Sequence, residues 1–346
     1  MNKTALSYKM ISVFVWALYP VFIALGASEG ALGWFIVIVH GSAALGAFLC
    51  GYLSLKPETA NATLRTLFNH IKTLDFDKWI FIFAAGFCST LYNLCFLYAM
   101  LLTSKAGVAV IIETAPVYAM LLTSVVVTRN WESLGLRHAL ISAVILMGVA
   151  LVVLADQNDI TLLFTDYNNY IQSADFMSLV GCFVAFIGSI MSALSDLMRA
   201  QAGNVTIRYI PEGSARYDHE LTGIMFGEAI VRIFAIPMAL LVLMMFSDVS
   251  TFSGVDAVYA FLAGFIIFNF GSITYAAALL KSTNPAIALF DYLSPPISII
   301  LLVLLGLSTL HTYLIAGTVL VILGNLLLYL FDRKKVIKHS ETALHP

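Results

Sequence analysis

The chain has 346 residues, 60% of them hydrophobic and 11% charged, with a formal net charge of −2 at pH 7 and a mean hydropathy of +0.93. A soluble domain carries about a quarter charged residues, so a single water-soluble core is excluded. The apolar residues gather in segments of about twenty, the length a helix needs to cross roughly 30 Å of hydrocarbon.

Taken in chain order, apolar runs bounded by charge, Gly or Pro predict ten spans, near 8–27, 31–54, 79–102, 106–127, 134–154, 176–199, 221–246, 255–280, 283–306 and 311–331. The first run, Met10 to Ala27, lacks a small-x-small site followed by polar sequence, so it reads as a span and not as a cleaved signal. The longer polar connections are 56–78, 155–175 and 200–220. The middle one separates two five-span units, 1–155 and 176–332, with 156–175 as the external link and 333–346 as a basic tail. Cys50, Cys88, Cys95 and Cys182 lie inside apolar runs without CxxC spacing, so neither a disulfide framework nor a metal site is expected.

Lysine and arginine should gather on alternate, cytoplasmic loops if the span count is right. With the N-terminus inside, they do: Lys56, Arg65, Lys72, Arg129, Arg137, Arg199, Arg216, Lys281 and Arg333 fall on inner segments, whereas Lys105 falls outside and Arg232 within a span. Outer loops carry Glu29, Asp156, Asp159, Asp166, Asp175, Asp248 and Asp256. Both termini are therefore expected in the cytoplasm, in a multi-pass protein of the cell inner membrane. The triplets at Asn61 and Asn204 match the glycosylation pattern but lie on inner loops.

Five spans per half place the halves upside down relative to each other. A weak internal repeat agrees. Tyr98-Ala-Met-Leu-Leu leads into a span with Glu113 and Pro116, and Tyr275-Ala-Ala-Ala-Leu-Leu into one with Asp291 and Pro295-Pro296. Each is followed by a span with a late glycine, Gly148 or Gly324.

In this order of features the chain resembles the EamA-type family of the drug/metabolite transporter superfamily. It departs from the family's Leu-Gly-Glu after the fourth and ninth spans, where it has Thr128-Arg-Asn-Trp131 before Glu132, and Leu305-Gly-Leu-Ser308. The resemblance is thus to a divergent member. It implies alternating access about a cavity lined by spans 1, 3, 4, 6, 8 and 9, with spans 5 and 10 packing the halves together.

Ionisable groups inside a bilayer cost at least about 2.5–3.5 kcal/mol, so each needs a partner, a water-filled cavity or a function. Glu113 and Asp291 rank first as substrate or proton sites. Each lies roughly 10–12 Å deep at about 1.5 Å per residue, and each precedes a helix-breaking proline, Pro116 or Pro295 with Pro296. Desolvation penalises the charged form of an acid, so such a carboxyl can exchange a proton near neutral pH as its exposure alternates. Glu228 and Arg232, four apart, are expected to form an ion pair with a structural or gating role. Arg232 could also hold a carboxylate, and His40 on span 2 is a further candidate. Trp16, Tyr19, Asn93 and Asn269 are favoured as substrate contacts, with Tyr92 and Tyr292 beside them, whereas Tyr98 and Tyr275 suit interface anchors.

The expected function is secondary transport, as an exporter, of a small metabolite that is amino-acid-like or amine-containing, with proton coupling through Glu113 or Asp291. No Walker A sequence points to direct use of ATP, and no cofactor, metal or nucleic-acid partner is expected. Membrane lipids surround the chain, as monomer or homodimer. A flippase of amphiphiles is the alternative. A membrane-embedded enzyme ranks below it, since the sequence has no Gly-x-Ser-x-Gly elbow or His-Glu-x-x-His pair.

Overall fold

A segment in hydrocarbon must satisfy its own backbone hydrogen bonds, which favours helices wherever the chain is apolar for long enough. The computed structural model describes residues 3–27, 31–112, 114, 115, 118, 136–156, 176–207, 210–246, 252–281, 290 and 293–343. Glu113, Pro116, Asp291 and Tyr292 lie outside the described residues.

The helices are α1 (Lys3–Ala17), α2 (Tyr19–Gly26), α3 (Leu32–Ser54), α4 (Pro57–Lys72), α5 (Phe76–Leu102), α6 (Lys105–Ile112) and α7 (Leu136–Asp156). They continue with α8 (Phe176–Ile207), α9 (His219–Phe246), α10 (Gly254–Leu262), a π-helical segment (Ala263–Gly271), α11 (Ser272–Lys281), α12 (Ser294–Leu304) and α13 (Thr312–Ala343). Among the described residues six stretches are long and apolar enough to cross a membrane: Lys3–Gly26, Leu32–Ser54, Phe76–Leu102, Phe176–Arg199, His219–Met245 and Gly254–Tyr275. The architecture is all-α and multi-pass. Its polarity is that of a membrane protein: Phe83, Phe183, Met244 and Ile300 are exposed, whereas Lys9, His40, Asn93, Arg232 and Asn269 are buried.

Three local features depart from the sequence reading. The first span is broken at Leu18, because Pro20 has no N–H for the carbonyl four residues back and its ring crowds that carbonyl. The Ser298 hydroxyl of α12 donates to the Ala17 carbonyl at this break, 3.1 Å away. The expected connection 56–78 holds a helix, α4, which starts on Pro57 and carries Glu58 in its first turn and His70 and Lys72 in its last. Ala60, Thr63 and Leu67 of α4 are buried on one face, where Ala60 and Leu67 join Leu55, Ile210 and Phe226. Helix α8 continues through Ile207, into the expected connection 200–220.

Those two connections are joined. Leu55 and Ala215 form an antiparallel bridge, with the Lys56 N–H donating to the Ser214 carbonyl at 2.9 Å and the Arg216 N–H to the Ser54 carbonyl at 2.7 Å.

Packing sets which faces meet at the centre. Helix α5 runs along α8 and also against α9, while α3 runs along α9 and against the π segment and α10. Helix α1 lies on α11, the π segment and α12; α6 lies on α8 and α12; α7 pairs with α13. Glycines mark the closest approaches. A Cβ on Gly148 of α7 would lie 2.8 Å from the Gly317 carbonyl of α13, and one on Gly317 would lie 2.5 Å from the Gly148 carbonyl. Gly86 of α5 faces the α9 backbone at Val231 and Ala235, and Gly264 of the π segment faces Val39 and Ser42 of α3.

Candidate functional site

Six helical stretches converge on a buried polar centre. Glu228 and Arg232 stand one turn apart on α9, and Arg232 Nε donates to Glu228 Oε1 at 2.7 Å. The other carboxylate oxygen, Oε2, accepts from Arg199 of α8, through Nε at 3.0 Å and Nη2 at 2.7 Å. Arg199 Nη2 also donates to the Ser272 hydroxyl of α11 at 3.0 Å, and Nη1 reaches Asp196 Oδ1 at 3.3 Å. One carboxylate therefore holds two guanidiniums. The side chain of Asp196 is 67% exposed, whereas that of Arg232 is fully buried.

Arg232 Nη1 donates to the Ser89 hydroxyl of α5 at 2.5 Å. The guanidinium carbon lies 4.5 Å from the centroid of the Phe268 ring, a cation–π arrangement that covers one face of the group. Asn93, one turn along α5, donates through Nδ2 to the Ser89 carbonyl at 2.8 Å and accepts through Oδ1 from the Tyr19 hydroxyl. Tyr19 in turn packs edge-on against Phe268, with centroids 4.9 Å apart. Arg232, Ser89, Asn93, Tyr19 and Phe268 thus close a ring of contacts drawn from α9, α5, α2 and the π segment. Trp16 flanks it, edge-on to Phe268 at 5.3 Å, and Tyr92 lies 6.3 Å from Tyr19.

His40 borders this centre through Thr90, next to Ser89 on α5, and Asn269 follows Phe268 on the π segment. His40 is fully buried, with Nε2 3.3 Å from the Thr90 hydroxyl and Nδ1 without a hydrogen-bond partner. Asn269 donates weakly to Cys50 Sγ at 3.6 Å, and its Oδ1 has no partner. The π geometry around Asn269 widens the helix where Gly264 abuts α3 and where the Ser12 hydroxyl of α1 donates to the Gly271 carbonyl at 3.1 Å. Pro295 and Pro296 occupy the first turn of α12, where a missing N–H costs no helical bond. Tyr98 and Tyr275 are partly exposed, and Lys9 of α1 stacks on the Tyr275 ring at 4.0 Å.

Tyr19, Asn93 and Arg232 are therefore brought together, and Trp16 and Tyr92 border them. Sequence reasoning assigned Arg199 to the cytoplasmic flank and did not single out Ser89, Phe268, Thr90 or Ser272. The pair Asp196 and Arg199, three apart at the end of an apolar run, was the available signal for a charged helix face.

At the N-terminal end of α9, Lys281 reaches Asp218 at 3.1 Å. Partial burial works to raise the Asp218 carboxyl. The backbone N–H of Leu221 and the Lys281 ammonium outweigh it and hold the group below the usual carboxylate range.

The fold defines a helical, multi-pass membrane architecture, and one solved crystal structure is similar to it along nearly its whole length. The similarity has a TM-score of 0.56 at 13% identity and covers 96% of this chain and 99% of the other. At that identity the likeness concerns the fold alone. No family model and no curated relative matches the chain.

Proposed function

We propose that this chain is a secondary transporter of the inner membrane, a divergent EamA-type member of the drug/metabolite transporter superfamily. In this reading it has ten spans in two inverted repeats and both termini in the cytoplasm. It exports a small amino-acid-like or amine-containing metabolite by alternating access, with Glu113 and Asp291 as the proton-exchanging acids.

The observation that carries the reading is the pattern of helix pairing. Let the first span correspond to the sixth, the second to the seventh, and so on. The packing of α5 on α8 then maps onto that of α11 and the π segment on α1, and α5 on α9 maps onto the π segment and α10 on α3. The pair α6 and α8 maps onto α12 and α1, while α3 with α9, α6 with α12 and α7 with α13 map onto themselves. Such exchange is what two repeats related by an axis in the membrane plane produce, and in carriers the substrate site lies at their interface. The buried charges of Arg232 and Glu228, with Arg199 partly buried beside them, face α5 and α11 inside the bundle, which supports a polar path there and not on the lipid face.

Reconstitution in sealed liposomes tests this. A panel of labelled amino acids and amines is expected to show protein-dependent flux that responds to an imposed pH gradient, and Glu113→Gln combined with Asp291→Asn is expected to abolish that response. Flux no greater than in protein-free vesicles across the panel would overturn the transport reading. Gradient-independent flux in the double variant that equals wild type would remove the coupling.

A further inference from the structure

The hydrogen bonds of Arg232 are incomplete in a specific way. Nε is held by Glu228, Nη1 by Ser89, and one face lies under Phe268, while Nη2 is buried and has no hydrogen-bond partner. Glu228 meets Arg232 through Nε alone, and its second oxygen is turned to Arg199. Asp196, the second acid on Arg199 at 3.3 Å, balances the pair of guanidiniums in number, but it does not reach Arg232, whose Nη2 is left as a buried donor with no acceptor. A buried charged donor without a partner is costly, and an acceptor meeting it there relieves the cost.

Resting on the carrier reading above, we propose that Arg232 and Ser89 are the docking point for a carboxylate of the transported molecule. The Ser89 hydroxyl accepts from Nη1 and keeps its own hydrogen to donate. Nη2 and Ser89 thus offer two donors to the two oxygens of one carboxylate, in the manner of a planar fork. Glu228 fixes the guanidinium through Nε. The aromatic surround of Trp16, Tyr19 and Phe268 suits an uncharged body attached to that carboxylate. The ligand class is accordingly a monocarboxylate, amino acids included, and amines without a carboxylate are excluded.

Thermal unfolding of the purified full-length protein tests the assignment, because a ligand that binds the folded state raises its stability. The probes are matched sets that differ only at one end: leucine, leucinamide and isoamylamine; phenylalanine, phenylalaninamide and phenethylamine; and lactate with lactamide. Chloride and sulfate report a response to any anion. At least one carboxylate member is expected to raise the midpoint while its amide and amine do not. Arg232→Gln is expected to weaken that binding on the order of thirtyfold or more, and Arg232→Lys to restore it only in part. Ser89→Ala, which keeps the Arg232 and Glu228 pair, is expected to weaken it about fivefold.

Equal shifts with amide and carboxylate, an equal shift with chloride, no shift with any carboxylate, or full binding by Ser89→Ala would each overturn the assignment. The failure of the carrier reading looks different. Carboxylate-selective binding that depends on Arg232, with no flux in liposomes, would leave the site standing without transport. Flux of amines lacking a carboxylate would leave transport without this site.

Discussion

Two crossings in the bundle have the same construction and opposite chemistry. At one, Gly86 brings α5 onto α9, where a Cβ would stand 3.0 Å from the Ala235 nitrogen and 3.1 Å from the Val231 oxygen. At the other, Gly264 brings the π segment onto α3 at Val39 and Ser42. The first carries Ser89, Asn93, Glu228 and Arg232 in a connected network. The second carries no ion pair among the described residues: Asn269 has its amide oxygen unpartnered, and His40 turns from α3 to Thr90, which itself donates to the Gly86 and Ala235 carbonyls of the first crossing. Small residues thus fix how closely helices approach, while the side chains one turn away decide whether the crossing holds charge.

The sharpest way to break this contrast is to remove the charge. Glu228→Gln leaves the buried Arg232 without a carboxylate and Arg199 with Asp196 alone, and is expected to cost about 3–5 kcal/mol. Asn269→Leu at the neutral crossing, where half the amide is unpartnered already, is expected to cost about 1 kcal/mol or less. Thermal unfolding in detergent measures both, and equal losses would erase the distinction between the crossings.

Sterics rank the crossings the other way. Gly264→Ala drives a methyl into the Val39 carbonyl and the Ser42 hydroxyl and is expected to cost about 1–3 kcal/mol. Gly86→Ala meets looser contacts, and the gain of about 0.5–1 kcal/mol from alanine in a helix offsets them, so its midpoint is expected to stay near wild type. The same unfolding measurement would contradict this order if Gly86→Ala proved the more damaging.

The smallest effect is expected at the periphery. The Asp218 carboxyl is depressed in the folded state, so its contribution is present above the unfolded value of about 3.9 and is lost as pH falls through the lower folded value. Asp218→Asn is expected to cost about 1 kcal/mol or less at pH 7, because the pair with Lys281 is partly exposed. It should also flatten the fall of stability below about pH 4. Unfolding midpoints of the two proteins at pH 3 and pH 7 check it.

Six spans were legible because a predominantly apolar stretch of eighteen or more residues leaves a helix few alternatives. Helix α4 was not, because its apolar face is three residues wide and its charges read as a loop. Asn93 and Tyr19 each stood out as groups needing partners. Their pairing was hidden, since it joins residues 74 positions apart through packing that no local pattern encodes. The partner of Arg199 was hidden for the same reason: it stands at the end of a span, and its side chain reaches Glu228, 29 residues on. The matched acids drew attention to symmetry, whereas Arg232 gained its importance from neighbours on three other helical stretches.

The account turns on whether the centre of the bundle is reached from both sides of the membrane. Labelling Ser89→Cys with membrane-impermeant maleimide, in a variant with Cys50, Cys88, Cys95 and Cys182 replaced, asks this directly. The account predicts modification from either face of sealed vesicles, with the balance shifted by a bound carboxylate. Modification from one face alone, whatever the ligand, would contradict alternating access.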